Sequence, residues 1–335
     1  MKKFLIASTA LTLSAGVAAA DVTFSGDARF GVNYNSNVGV LDTNWGARNG
    51  TNTSKTSIEK RYTLNIDAST TADNGVTFGA RVRIRNDEGH SAAGANSSTV
   101  NGSRLFARYQ GFEVAVGNIL GAIESMPNHY SRGISLTGLS WGNVVTKVDR
   151  GGNGAAAHDW DAYSSGTGSA EGVEVLYSAG DFKGHISYTD NGLRNGTGAE
   201  RTAAWGSYNY NGWNMALGLQ DSDVDSEKKV VAQIDGKIQD FGVGLAVARN
   251  GSGTSKINKY VLNGSYTMGA TTIGAYVSNQ SVAPVAVAAN TKGVSKTAYG
   301  LGASYNLGGG ASIVGGVERT TQKNTRADLG VSFRF

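Results

Sequence analysis

The chain has 335 residues, 48 of them glycine, two proline and none cysteine, with 17% charged residues and a formal charge of +4. Without cysteine there is no disulfide, no thiolate nucleophile and no thiolate-held zinc, and so small a net charge is no argument for a nucleic-acid partner. No window holds the ~18 apolar residues that a membrane-spanning helix needs.

Residues 1–20, MKKFLIASTALTLSAGVAAA, have the make-up of a secretory signal peptide. Lys2 and Lys3 form the basic end, residues 4–13 the apolar stretch, and Ala18, Ala19 and Ala20 the small-residue cleavage site before Asp21. The segment is too short for an anchor helix, so the reading is export, with residues 21–335 as the mature protein. Its balance is then 28 basic against 26 acidic groups.

From Asp21 onward the pattern has a period of two. In 22–34, Val22, Phe24, Ala28, Phe30 and Val32 alternate with Thr23, Ser25, Asp27, Arg29 and Asn33. In 58–68, Ile58, Tyr62, Leu64, Ile66 and Ala68 alternate with Glu59, Arg61, Thr63, Asn65 and Asp67. In 76–85, five apolar residues alternate with Thr77, Gly79, Arg81, Arg83 and Arg85. Such alternation predicts strands with one apolar and one polar face. Further strands are predicted at 103–110, 112–118, 170–178, 182–190, 201–210, 213–220, 229–238, 241–249, 258–268, 270–278, 296–307, 311–319 and 326–335. The total is about 16, most near the ~9–11 residues that cross a bilayer at a tilt.

The connections are of two kinds. Those at 72–75, 110–111, 180–181, 211–212, 239–240, 269 and 308–310 are short, and several carry the Gly or Asn that a tight hairpin turn needs. Most of the others are long and polar: 35–56, 86–102, 119–169, 190–200, 220–228, 250–257 and 279–295, with a brief one at 320–324. Both prolines, Pro127 and Pro284, fall in these loops, as they must if every strand pairs on both edges.

A sandwich of two sheets would hide its apolar faces in a core, but about sixteen similar strands without a linker exceed what one such core supports. A closed barrel of that size has a lumen too wide for side chains to fill. One arginine on the lipid face at mid-membrane costs about 2–4 kcal/mol, so Arg81, Arg83 and Arg85 would together cost roughly 6–12. Turned inward they stay hydrated. Closure also removes unpaired strand edges from the hydrocarbon. Tyr109 and Phe112, Tyr177 and Phe182, and Tyr210 and Trp213 flank successive short turns, with Phe241, Tyr266, Tyr305, Phe333 and Phe335 near the same end, as an interfacial girdle requires. The fold class is therefore all-β, a 16-stranded antiparallel transmembrane β-barrel.

The mature start DVTFSGDARFGVNYN (21–35), the hairpin YQGFEVAVGN (109–118) and the terminal LGVSFRF (329–335) resemble the general-diffusion porins of purple non-sulfur and related alphaproteobacteria. The likeness runs over essentially the whole mature chain, and Phe335 resembles the terminal signal of inserted outer-membrane barrels. It implies a homotrimer in the outer membrane of a Gram-negative bacterium, passing ions and small hydrophilic solutes without a cofactor. The short turns would face the periplasm and the long loops the outside.

The connection 119–169 is far longer than a hairpin needs, and Ile119, Leu120, Ile123, Ile134, Leu136, Leu139, Trp141, Val144 and Val145 make it too apolar for solvent. In the porins it resembles, this third loop folds into the lumen and narrows it. Its acids Glu124, Asp149, Asp159 and Asp161 would then face a basic wall of Arg29, Arg61, Arg81, Arg83 and Arg85, with Arg104 and Arg108 as further members. Opposed charges across a narrow neck favour polar over apolar solutes.

Other motifs are weaker. GLSWG (138–142) has the spacing of a nucleophile elbow but no helix pattern after it, and the four histidines lack metal spacing, so no enzyme is predicted. Asp221, Asp223 and Asp225 resemble the start of a calcium loop without its glycine and late glutamate. Asp159 and Asp161 are a second weak calcium pair. The alternatives to an open pore are a solute-specific channel or a plugged barrel with a structural, adhesive or enzymatic role.

Overall fold

The computed structural model describes residues 21–36, 54–87, 99–130, 133–138, 142–146, 148, 159–161, 163, 171–190, 199–253, 255–282 and 294–335. Among these the chain forms sixteen antiparallel strands, each hydrogen-bonded to its neighbours in sequence. They are β1 (Asp21–Asn35), β2 (Thr56–Thr71), β3 (Thr77–Asp87), β4 in two pieces (Thr99–Val100 and Arg104–Tyr109), β5 (Phe112–Asn118), β6 (Glu171–Ala179), β7 (Phe182–Asp190) and β8 (Glu200–Tyr210). The second half holds β9 (Trp213–Ser222), β10 (Lys229–Ile238), β11 (Phe241–Ser252), β12 (Ser255–Met268), β13 (Thr271–Gln280), β14 (Thr297–Gly308), β15 (Ala311–Arg319) and β16 (Thr325–Arg334).

The sheet closes on itself. β1 pairs β2 along its length, and from Asp27↔Arg334 to Asn35↔Arg326 it also pairs β16. Below that ladder Gly26 and Phe335 exchange two backbone hydrogen bonds, 2.8 and 3.1 Å. The ring of the terminal residue occupies the space a side chain at 26 would fill, so a glycine is required there.

Alternation sorts the faces as expected. Phe24, Phe30, Ile58, Leu105, Leu217, Leu245, Leu262 and Leu301 are exposed on the outer wall, while Glu59, Glu113, Glu174, His185, Gln220, Lys229 and Glu318 are buried on the inner one. Tight turns depend on left-handed backbone: Asn211 and Gly212 have φ of 47° and 81°, the pair of positive values that a twisted two-residue hairpin demands. Aromatic rings gather beside these turns, with Phe112 on Tyr177 at 4.3 Å and Phe241 on Tyr266 at 4.6 Å.

Strand limits differ from expectation chiefly at the long-loop end. β2 extends over Thr56–Thr71 and β12 begins at Ser255, because ladders continue past the apolar alternation once both neighbours are present. β4 is interrupted at 101–103. The Asn101 side chain accepts the Arg83 backbone N–H, at 2.5 Å, in place of a ladder carbonyl, and both pieces still pair β3.

Inside the ring the hydrophobic core lies between loop and wall. Ala122, Ile123, Met126, Val144, Val145 and Trp160 pack on Ala203, Ala216, Val231, Ala246, Ala248 and Val261 of β8–β12. The inward residues that meet the loop's apolar side chains are alanine and valine, which makes room for the loop without widening the barrel. The expected signal segment 1–20 lies outside the described residues.

Candidate functional site: the inner wall and the long loop

The inward residues of β1–β3 are fixed by register. Asp67 faces Arg81, Asn65 faces Arg83 and Thr63 faces Arg85 across β2 and β3, while Arg29 faces Arg61 across β1 and β2. The five predicted arginines therefore share one wall. Acids stand among them. Arg81 grips Asp67 through Nε at 2.6 Å and a second nitrogen at 3.1 Å. Arg29 pairs with Glu59 at 2.7 Å, and Arg85 Nε donates to Thr63 Oγ1 at 3.3 Å. The wall is thus basic but interleaved, which limits repulsion between like charges about 7 Å apart along a strand. Arg104 and Arg108 lie further toward the short turns. Arg104 is buried between Glu113 and Glu174, 2.6 Å from each, and Arg108 donates to Glu113.

The loop after β5 is held along the opposite wall. Glu174 accepts the Leu120 N–H at 3.0 Å, the Gly121 N–H at 3.2 Å and Arg104 Nε at 2.6 Å, and contacts His185 Nε2 at 2.8 Å. The other ring nitrogen of His185 meets Ser125 Oγ at 2.6 Å, at the end of the one-turn helix α1 (Ala122–Ser125). Further on, Asn250 accepts the Thr146 N–H at 2.9 Å and donates to the Val144 carbonyl at 3.1 Å. Between these points the chain crosses to the far side. Ile134 lies so close to Gly302 and Gly316 that a Cβ at either would strike its carbonyl, and Asp328 of β16 holds the backbone of Leu136 and Thr137. The Leu136 carbonyl in turn accepts Arg29 at 3.1 Å.

The predicted loop acids go to different places. Glu124 accepts Trp160 Nε1 at 2.7 Å and the Tyr130 hydroxyl, and its charge reaches Arg83. Asp159 and Asp161 do not meet the arginine wall. They are 3% exposed and paired with Lys229 at 2.7 Å and Arg201 at 3.0 Å, cations of the wall on the loop's own side. Arg201 also grips Glu227 at 2.7 and 2.9 Å. Burial pushes both aspartates above the usual carboxylate range, against the pull of Lys229 and Arg201. These two acids fasten the loop. Asp149 lies outside the described residues.

Calcium geometry is not formed by the weak candidates. Asp221 pairs with Lys228 at 3.0 Å, Asp223 accepts the Glu200 N–H at 3.0 Å, and Asp225 accepts Ser252 Oγ at 2.8 Å and lies 3.9 Å from the same Lys228, so a lysine stands between two of the three. Asp159 and Asp161 are likewise committed to separate cations. Among the described residues no group of three or more His, Asp or Glu side chains is arranged to hold a metal ion.

Several residues that matter here were not singled out in the sequence: Glu174, His185, Arg201, Lys229, Asn250 and Asp328. Each sits at an inward position of its strand, but its partner in the loop is far away in the chain. Tyr163 is another, its carbonyl accepting Arg83 and its ring lying 4.7 Å from that guanidinium.

A closed barrel of this form has known counterparts. The family model described as Gram-negative porin matches residues 7–325. A porin of Rhodobacter capsulatus is 30% identical, and one of Fuscovulum blasticum 28%, each alignment covering 94% of this chain and all of the relative. Substituted forms of Rh. blastica porin superpose with a TM-score of 0.75 at 26% and 27% identity, over 94% of this chain and 100% of theirs. With sixteen closed strands, an apolar outer face and a charged lumen already in view, the chain belongs to the Gram-negative porin family.

Proposed function

We propose that solutes pass through a neck bounded by the loop 119–169 on one side and Arg61, Arg81, Arg83 and Arg85 on the other, in a barrel that assembles as a homotrimer. As a Gram-negative porin, the chain is an integral outer-membrane barrel whose water-filled channel passes ions and small hydrophilic solutes by diffusion, and it catalyses no reaction. The finer reading rests on one observation. The described loop residues are fastened mainly to β6–β11 and β13–β16, while the arginines of β2 and β3 stand on the remaining wall, which the loop meets at Tyr163 on Arg83.

Among the described loop acids Glu124 is the one that acts on this wall, since Asp159 and Asp161 are spent on Lys229 and Arg201. A carboxylate opposite several guanidinium groups aligns water and dipolar solutes, and penalises apolar ones that cannot replace that hydration. With more cations than acids among the described residues at the neck, the expected preference is for anions. The homotrimer rests on the resemblance to the alphaproteobacterial porins.

Single-channel conductance in a planar bilayer under a KCl gradient tests these points together. Persistent steps in groups of three with a reversal potential of anion-selective sign support them. An insulating membrane despite verified insertion overturns the open neck, and solitary steps overturn the trimer.

A further inference from the structure

The inner wall near the short turns combines charged side chains with two large apolar ones. On β4–β8 a cavity of about 360 Å³ is lined by the inward side chains of Arg108, Glu113, Leu176, Ser178, Lys183 and Trp205. Leu176 occupies the same face as Glu174, and Trp205 the same face as Ala203 and Ser207, so both apolar groups look into the lumen. A volume of this size lies within the ~300–1,000 Å³ of small-molecule sites. Trp205 packs with its other side against the loop–wall core, so it is held in place, while Leu176 faces the channel beside cations.

We infer that this cavity is a subsite for small aromatic monocarboxylates, holding the carboxylate between Arg108 and Lys183 and the ring on Trp205 and Leu176. The indole is a fixed platform, since its Nε1–H donates to Ser125 Oγ at 3.2 Å. Arg108 is also preset. Its guanidinium lies 5.0 Å from the Phe106 ring and gives two of its five N–H groups to Glu113, which leaves donors for a ligand. Among the described residues no ion pair or hydrogen bond engages the Lys183 ammonium, whose backbone belongs to the ladders of β7.

Charge selects a monoanion. Counting lysine, arginine and carboxylate side chains, Arg104, Arg108 and Lys183 stand against Glu113 and Glu174, an excess of one positive charge on this part of the wall. A neutral ring would lack the ionic partner, and acetate would leave the apolar floor uncovered. The subsite rests on the channel reading only in that solutes must reach the lumen, and it would delay aromatic acids at the short-turn mouth during their passage.

Calorimetric titration of the detergent-solubilised full chain with benzoate, acetate and benzyl alcohol tests this. Saturable benzoate binding is expected, with acetate and benzyl alcohol each about tenfold weaker, the loss of roughly one favourable contact. Lys183→Gln and Leu176→Ser should each weaken benzoate by a similar factor. Absence of benzoate binding, or equal affinity in the wild type and Lys183→Gln, overturns the subsite. Wild-type conductance without benzoate is read on the same preparation. A conducting channel that ignores benzoate removes the subsite alone, whereas an insulating barrel removes the channel reading whatever the titration shows.

Discussion

Asp328, on the last strand, holds the backbone of Leu136, 192 positions earlier in the chain: its Oδ1 accepts the Leu136 N–H at 2.9 Å, and its Oδ2 the Thr137 N–H at 2.9 Å. The same carboxylate takes the Gly316 N–H at 3.0 Å, so one side chain joins the crossing segment of the loop to two strands beside the closure. Replacing Asp328 by Ala leaves these donors without a partner, at roughly 1–3 kcal/mol for each one that stays buried. The expected outcome for Asp328→Ala is a folded barrel with a loosened loop. Limited proteolysis should cut within 119–169 faster than in the wild type, and current noise should rise. Unchanged cleavage and noise would show that the loop does not depend on this clasp.

Ile134 presses on the wall where Gly302 and Gly316 offer no side chain. A methyl group at Gly302 meets the Ile134 carbonyl, which must move, and overpacking of this kind costs about 1–3 kcal/mol. Gly302→Ala should therefore change the size of the conductance step without preventing insertion. A step of wild-type size would mean that the crossing segment does not bound the pore.

In the proposed neck, Arg83 and Glu124 bear opposite charges, Arg83 on the barrel wall and Glu124 on the loop. A unit charge about 8 Å from a passing ion in water contributes about 0.5 kcal/mol, a roughly twofold change in relative permeability. Arg83→Gln should shift the reversal potential in a KCl gradient toward cations, and Glu124→Gln toward anions. Shifts of equal sign, or none in either variant, would remove the opposed-charge neck.

Asp161 supplies a pH test. Burial raises its carboxyl above the usual range, so the folded protein holds that proton more tightly than the unfolded chain does. Its contribution to stability is fully present below the ordinary carboxylate value, and is lost as pH rises through the raised one. Arg201, its ionic partner, stays charged throughout. Compared with Asp161→Asn, which cannot titrate there, the wild type should lose thermal stability across that window as pH rises. A melting-temperature difference independent of pH would contradict the assignment.

How much of this was legible beforehand follows from particular residues. Strands such as Asp21–Asn35 and Thr77–Asp87 were readable because side chains alternate strictly across a pleated strand, so Phe30 and Arg29 are committed to opposite faces before any partner is known. The turn at Asn211 and Gly212 was readable for the same local reason, since positive φ favours those residues. The interruption in β4 was not, because it depends on Asn101 reaching the backbone of Arg83 on the neighbouring strand.

Among the site residues, Arg61, Arg81, Arg83 and Arg85 were identifiable by parity, and register then placed them on one wall. Asp159 and Asp161 were identifiable as loop acids, but not as the partners of Lys229 and Arg201. By itself, then, the sequence determined a closed barrel with an apolar outside and a charged inside, because two-residue periodicity and turn chemistry are local properties. Only the tertiary structure decided which charges remain at the neck and which hold the loop. Those pairings join residues tens to hundreds of positions apart, and they form only once closure brings opposite walls within reach of a single loop.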